Sequence, residues 1–287
     1  MKKLLILGAG TAGTMMANKM RKVLSRSDWD ITIVDQYKTH YYQPGFLFIP
    51  FGIYNEQDVI KPKNDFFPVG VNVIFSAIEK VEADKNRVLL EDGISLKYDY
   101  LIIATGTRTA PEETDGLMGN LWYKDIFDFY TIEGAVALAN HFKTWKGGKL
   151  VVNITELPYK CPVAPLEFVF FADAFFTERG LRDKVDITYV TPLPGAFTKP
   201  RATKMLGELL EQKNINIVPD YNIMEVDNEN KKIVDFGGKE VPFDCLVTVP
   251  TNLGADFIET SGLGDDMNFV KTEKFPLQQV DHENIFV

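Results

Sequence analysis

The apolar run Lys3–Leu7 stops at Gly8-Ala9-Gly10-Thr11-Ala12-Gly13 and passes directly into helical spacing from Ala12 to about Leu24. A second buried strand, Asp30–Val34, follows and ends at Asp35. Each glycine has its own physical reason. The first permits a tight turn, the second lets backbone amides approach a pyrophosphate, and the third allows close packing of strand and helix. The helix start adds partial positive charge and unpaired N–H groups. A carboxylate at Asp35 is placed to accept hydrogen bonds from a ribose diol, and it would repel a 2′-phosphate. A lone glycine motif is weak, and a structural turn without a ligand is its rival. Strand, loop, helix and terminal acid in this order favour dinucleotide binding.

Composition narrows the alternatives. The chain has 287 residues, 31 Lys and Arg against 40 Asp and Glu, and a net charge of −9. That acidity argues against nucleic acid as a partner, because phosphate binding wants a basic face. Hydrophobic residues make up 45%, which argues against disorder. At about 100–200 residues per domain the length suits two domains. Its 2 cysteines are too few for a disulfide framework. No apolar run reaches the roughly 18–20 residues of a membrane span. Met1-Lys2-Lys3 imitates a secretory start, but the apolar run ends at Gly8 without a cleavage site. The expected location is the cytoplasm or the cytoplasmic face of a membrane.

Strand and helix signals alternate, the pattern of an α/β protein with parallel sheets. The first cycle contains an aromatic loop, His40 to Tyr54, a hairpin around Asp84-Lys85-Asn86, and the buried strand Tyr100–Ala104. After a connector at 111–119, a second cycle runs through helix Thr131–Trp145, strand Lys149–Ile154, helix Leu166–Arg179, strand Val185–Val190, a helix from about Arg201 to Gln212 and strand Ile215–Val218. Tyr221–Val241 reads as a β-meander and Cys245–Val249 as a further buried strand. The expected fold is two Rossmann-like domains with parallel sheets and a β-meander insertion. The expected boundaries are 1–112 for the first part of an FAD-binding domain, 113–250 for the second domain, and 251–287 for an incomplete return to the first.

Strand Tyr100–Ala104 ends in the small residues Thr105-Gly106-Thr107, so backbone can pass close to a nucleotide. Together with the N-terminal glycine loop this resembles the two-dinucleotide-binding-domain flavoproteins, whose first cycle carries FAD. The resemblance implies FAD contacts at Gly8, Gly10, Thr11, Ala12, Gly13 and Asp35. It adds Gln43, Pro44 and Gly45 of the aromatic loop, and Ala77, Thr105 and Gly106.

In that family the second cycle usually binds a nicotinamide nucleotide through its own glycine loop. Here strand Lys149–Ile154 is followed by Thr155-Glu-Leu-Pro-Tyr-Lys-Cys-Pro-Val-Ala-Pro-Leu-Glu167, with no such loop. Pro158, Pro162 and Pro165 have no N–H to offer a phosphate. Cys161, flanked by Lys160, takes the usual ligand position. A neighbouring ammonium lowers a thiol's pKa if it points inward. Lys160-Cys-Pro-Val-Ala-Pro-Leu-Glu167 and Tyr41-Tyr-Gln-Pro-Gly45 resemble segments of the sulfide:quinone oxidoreductases and related flavocytochrome c sulfide dehydrogenases. The resemblance implies hydrogen sulfide as electron donor, quinone as acceptor, Cys161 as a redox sulfur and Glu167 as a proton-transfer group. Without it, Cys161 would be read as a buried loop thiol and Glu167 as a solvated first-turn acid.

Departures accompany the resemblance. Cys245, the other cysteine, lies in a buried strand and reads as a small hydrophobe. Phe129-Tyr130 stands where a third cysteine is usual, and Gly134 where a histidine often sits. His40, His141 and His282 have no metal-ligand spacing. Val280–Val287 resembles the strand leading into the family's second FAD motif, which is absent, so the reading is a truncated chain. Contact with a membrane surface would come from amphipathic helices beyond Val287; self-association stays open. The competing readings are a type II NADH:quinone oxidoreductase and a non-catalytic flavin-binding sensor.

Overall fold

The computed structural model describes all 287 residues, which divide into two compact units. The first comprises Met1–Tyr41, Ile60–Arg108 and Leu253–Val287; the second comprises Tyr42–Val59 and Thr109–Asn252. No helix is long and apolar enough to cross a membrane.

The first unit is built on β1 (Lys2–Leu7), α1 (Thr11–Val23), β2 (Trp29–Asp35), β3 (Asn72–Phe75) and β4 (Tyr100–Ile103). With the C-terminal strand Ile285–Phe286 these form a wholly parallel sheet in the order Ile285–Phe286, β4, β1, β2, β3. Alternation along β1 divides the core. Leu4 and Ile6 pack with Ile31, Ile33 and Ala17 of α1 on one face. Leu5 and Leu7 pack with Val81, Val88 and Leu90 on the other. That second face is covered by a three-stranded antiparallel sheet, Ile78–Glu82, Arg87–Leu90 and Ser95–Lys97, which extends the expected hairpin by one strand. The short helix Asp256–Thr260, which no pattern in the sequence announced, adds Phe257 and Ile258 to it. Covering both faces is what lets the strands be uniformly apolar.

The second unit repeats the plan with β5 (Ile126–Phe127), α2 (Ile132–Thr144), β6 (Gly148–Ile154), α3 (Ala164–Glu178), β7 (Val185–Val190), α4 (Pro200–Gln212), β8 (Ile215–Val218) and β9 (Cys245–Val249). Its sheet is parallel throughout, in the order β5, β9, β6, β7, β8. Leu150, Val152 and Ile154 of β6 face α2 and α3, whereas Val151 faces Tyr221, Ile223, Ile233 and Val241 of the meander. The meander itself is three antiparallel strands, Ile223–Asp227, Lys232–Asp235 and Glu240–Pro242.

The expected boundary at 1–112 needs correction within the aromatic loop. Residues 42–59 belong to the second unit. Gln43–Phe48 forms a 3-10 helix, and Leu47 and Phe51 are buried in the core of α2, α3 and β6. The Phe51 ring lies 5.0 Å from Phe168 and 5.6 Å from Phe171, and Phe48 lies 5.4 Å from Phe171. Aromatic burial, which removes about 150–250 Å² per ring from water, decides which core the loop joins. Truncating Phe51 to Ala should therefore cost about 3 kcal/mol. Urea unfolding of the variant checks this, and a loss below about 1 kcal/mol would mean that the loop does not anchor in that core.

Candidate functional site

In the first unit the site begins where β1 runs into α1. Gly8 has φ +92°, and a Cβ on it would lie 2.4 Å from the Ala104 carbonyl oxygen. At Gly13 a Cβ would lie 1.8 Å from the Gly8 carbonyl oxygen. Both glycines are demanded by chain packing at the ends of β1 and β4. Gly10 differs: a Cβ there meets nothing within 4 Å. No side chain caps the start of α1 and no acid sits in its first turn. Thr11 and Ala12 are exposed there. The result is an open, electropositive helix start of the kind that accepts phosphate oxygens. Thr105 and Gly106 follow β4, and a Cβ added at Gly106 would likewise meet nothing within 4 Å. Ala77 is half-buried, its carbonyl accepting the Glu91 N–H at 3.0 Å.

Asp35 ends β2, and its carboxylate is already engaged. It accepts the N–H groups of Ala9 at 2.7 Å and Tyr37 at 2.8 Å. Lys63, which no motif singles out, places its ammonium 2.6 Å from Asp35 Oδ1. The Lys63 side chain is 7% exposed and that of Asp35 12%. A near-buried pair of this kind survives because each charge offsets the other's desolvation. Lys63 thus offsets the carboxylate charge on which the expected repulsion of a 2′-phosphate rests. His40 stands close by, its ring 5.0 Å from Phe66 and its Nδ1 buried without a partner. Burial, then Lys63, hold its pKa below the usual histidine value, with Asp35 opposing. The open amides, the uncapped helix and the carboxylate at the strand end fit the pyrophosphate and ribose of a dinucleotide.

In the second unit the loop 155–163 joins β6 to α3. Cys161 is exposed and has φ +57°, a left-handed backbone rare for a side chain other than asparagine or aspartate. Such a residue persists only when its surroundings hold it. Tyr130, just before α2, donates its hydroxyl to the Lys160 carbonyl at 2.7 Å and to the Cys161 carbonyl at 3.3 Å. Tyr159 donates to the Pro162 carbonyl at 3.1 Å, and Asn252 Oδ1 accepts the Lys160 N–H at 3.3 Å. The Ala164 N–H closes the turn onto the Cys161 carbonyl at 3.1 Å. Burial pushes the Tyr159 phenol up to about 12, and the Tyr130 phenol well above its ordinary value. Both stay protonated donors.

The Lys160 ammonium donates to Gln43 Oε1 at 2.7 Å. Burial lowers its pKa, and the neighbouring Cys161 sulfur acts in the opposite direction. Glu167 is exposed in the first turn of α3, where a carboxylate suits the helix dipole.

The expected site residues thus fall into two groups. Gly8, Gly10, Thr11, Ala12, Gly13, Asp35, Ala77, Thr105 and Gly106 lie in the first unit. Gln43, Pro44 and Gly45, expected beside the nucleotide loop, lie in the second unit with Cys161 and Glu167. Pro44 is exposed in the 3-10 helix, and a Cβ on Gly45 would come 2.5 Å from Val59 Cγ1. Packing inside the second unit is thus reason enough for glycine at 45. The reading of Cys161 as a buried thiol is set aside by its exposure. Cys245 is 0% exposed in β9, opposite Leu150, and burial followed by Asp125 and Asp244 raises its thiol pKa. Its sulfur is sealed in the core and inaccessible to Cys161. At Gly134 a Cβ would lie 2.4 Å from Asp128 Oδ2, so no histidine could stand there without rebuilding the start of α2. Tyr130, Tyr159, Asn252 and Lys63 were missed from sequence. Only Tyr130 carried a signal, as the residue standing in a cysteine's place.

Similarity to known proteins accords with this geometry. The chain is 27% identical over 289 aligned residues to the mitochondrial sulfide:quinone oxidoreductase of Dictyostelium discoideum, covering 99% of this chain and 64% of that protein. It spans about 64% of the length of such relatives, the mouse mitochondrial protein included. The solved sulfide:quinone oxidoreductase of Aquifex aeolicus matches the fold with a TM-score of 0.86 at 21% identity, over 100% of this chain and 67% of that one. A Staphylococcus haemolyticus type II NADH:quinone oxidoreductase is 32% identical over 50% of this chain and 34% of its own length. The family model described as pyridine nucleotide-disulphide oxidoreductase matches residues 2–152, through the first unit's glycine loop and as far as β6. Because that match takes in more than half of the 287 residues, the chain belongs to the pyridine nucleotide-disulphide oxidoreductase family.

Proposed function

We propose that this chain is the dinucleotide-fold portion of an FAD-dependent enzyme that oxidises sulfide at Cys161 and delivers the electrons to quinone. The observation that carries the reading is the carboxyl end of β6. Where a nicotinamide-binding cycle needs a glycine loop with free amides, the chain presents an exposed thiol between Lys160 and Pro162. Pro158, Pro162 and Pro165 withdraw the N–H groups that a second pyrophosphate would require. Similarity to sulfide:quinone oxidoreductases along 99% of the chain supports the same donor and acceptor.

FAD would be held by the helix start at Gly10, Thr11 and Ala12, with Asp35 at the ribose; when bound, it supplies a two-electron acceptor that passes its electrons on to quinone. The chain's own chemistry lies at the sulfur. Hydrosulfide would join the exposed Cys161 thiol in a persulfide; forming that S–S bond releases one proton and two electrons, and the bound flavin is the oxidant that would accept the electrons. The buried Cys245 takes no part. Glu167, solvated at the start of α3, would take up the proton released when hydrogen sulfide enters as hydrosulfide.

Similarity to a type II NADH:quinone oxidoreductase over half of the chain favours a second reading, in which NADH is the donor. The two separate cleanly. Anaerobic sulfide should bleach the absorbance of the FAD-loaded protein while NADH leaves it unchanged; rapid bleaching by NADH would transfer the assignment to the second reading. Cys161→Ser should slow sulfide-driven bleaching by about 100-fold or more, as removal of an essential nucleophile does. An unchanged rate in stopped flow would remove Cys161 from the reaction. Gly10→Ala should fold as the parent does, because the added Cβ meets open space, yet bind FAD at least about tenfold more weakly, a cost of roughly 1.4 kcal/mol. Equilibrium dialysis measures that loss.

A further inference from the structure

The two carboxylate oxygens of Asp35 are engaged unevenly. Oδ1 accepts the Tyr37 N–H at 2.8 Å and has the Lys63 ammonium 2.6 Å away. Oδ2 accepts the Ala9 N–H at 2.7 Å and nothing else. A carboxylate offers about four acceptor positions. Tyr37, Lys63 and Ala9 fill all but one of them, and the one left is on Oδ2, the oxygen tied to the glycine loop. Asp128 shows the saturated alternative. Its Oδ1 takes the N–H groups of Tyr130 and Thr131, its Oδ2 takes the Tyr123 hydroxyl, and the Thr131 hydroxyl is 2.9 Å from both oxygens. Lys63 is placed by its own backbone. Strands Thr39–Tyr41 and Ile60–Pro62 pair antiparallel immediately before it, and its N–H donates to the Lys38 carbonyl at 2.8 Å. Withdrawn from water, its ammonium would lose its compensation by leaving the carboxylate.

We propose that Lys63 is a positioning residue for the adenosine end of the dinucleotide: it occupies Asp35 Oδ1, so that the carboxylate reads one ribose hydroxyl through Oδ2 rather than the whole diol. A hydroxyl donating to an ionised carboxylate makes one of the stronger hydrogen bonds a ribose can form. The second hydroxyl finds no acceptor position left on Asp35. Because the Ala9 N–H ties Oδ2 to the glycine loop, the ribose contact and the phosphate-binding turn are fixed relative to each other. Lys63 therefore acts through Asp35, by fixing which oxygen is open, and its charge keeps the nearly buried carboxylate compensated. This inference rests on the reading that FAD lies on the glycine loop. It is independent of the electron donor and of Cys161.

The test is equilibrium dialysis of the full chain against FAD and against its 2′-deoxyadenosine and 3′-deoxyadenosine analogues. One analogue should bind about tenfold or more weakly than FAD, the worth of a hydrogen bond to a charged group, and the other within about twofold of FAD. If the parent binds FAD but treats the two analogues alike, the inference falls and the dinucleotide reading stands. If the parent does not bind FAD, both fall. Lys63→Met releases Oδ1 and lets the carboxylate turn, so the affinity ratio between the analogues should shrink to about twofold or less. A purely structural role for Lys63 would weaken all three dinucleotides by one factor and leave that ratio at its parental value, which would overturn the inference. Because Lys63→Met leaves a nearly buried carboxylate uncompensated, urea unfolding first establishes that it is folded. Lys63→Arg, which keeps the charge, is measured beside it. Its planar fork engages both carboxylate oxygens where the ammonium meets one, so the ratio should again fall, by at least about threefold. A parental ratio in Lys63→Arg would reduce Lys63 to a counter-ion and overturn the positioning role.

Discussion

At Gly13 there is no room for a single methyl group, since a Cβ would lie 1.8 Å from the Gly8 carbonyl oxygen. The first unit depends on that close approach. It brings the start of α1 down onto the end of β1, so Ala17 packs beneath Leu4 and Ile6, and the unpaired amides of α1 open at the strand ends. Gly8 performs the complementary task against Ala104, closing the gap between β1 and β4. Gly10 alone of the three faces open space. One short sequence thus sets helix placement and leaves an uncapped helix start at the strand ends.

The second unit carries a different loop on the same architecture. Its sheet is as parallel and as buried as the first, and α3 follows β6 where a phosphate-binding helix would be expected. Prolines and a left-handed cysteine stand where glycines would, so the amides of residues 158, 162 and 165 are lost to a phosphate. The loop presents a sulfur. The loop that carries it is held by groups drawn from separate parts of the chain, with Tyr130 ahead of α2, Asn252 after β9 and Gln43 in the aromatic loop all bonded to Lys160. Cys245 illustrates the opposite condition: a thiol in the middle of a strand covered on both faces is inert.

Periodicity made most of the architecture legible. Strands that are apolar on both faces, separated by amphipathic helices, leave little besides a pair of parallel α/β cycles, and the meander showed itself through its turns. The aromatic loop was not assignable in that way. Phe48 and Phe51 announce burial but not the core in which they are buried, and only their packing against Phe168 and Phe171 places residues 42–59 with the second unit. Lys63 was invisible for a related reason, because a lysine in a polar stretch reads as solvated until its ammonium is found beside Asp35.

By itself the sequence determined which backbone segments must lack side chains, which cycle keeps its phosphate loop, and which loop carries a cysteine instead. These are local properties, written in consecutive residues because they concern turns and the first turn of a helix. Tertiary structure decided the state of the charges: Asp35 neutralised by Lys63, Lys160 held by Gln43 without an anion, Cys161 exposed and Cys245 sealed. Charge and reactivity depend on burial and on partners distant along the chain, and those are settled only when the sheets close and bring the partners together.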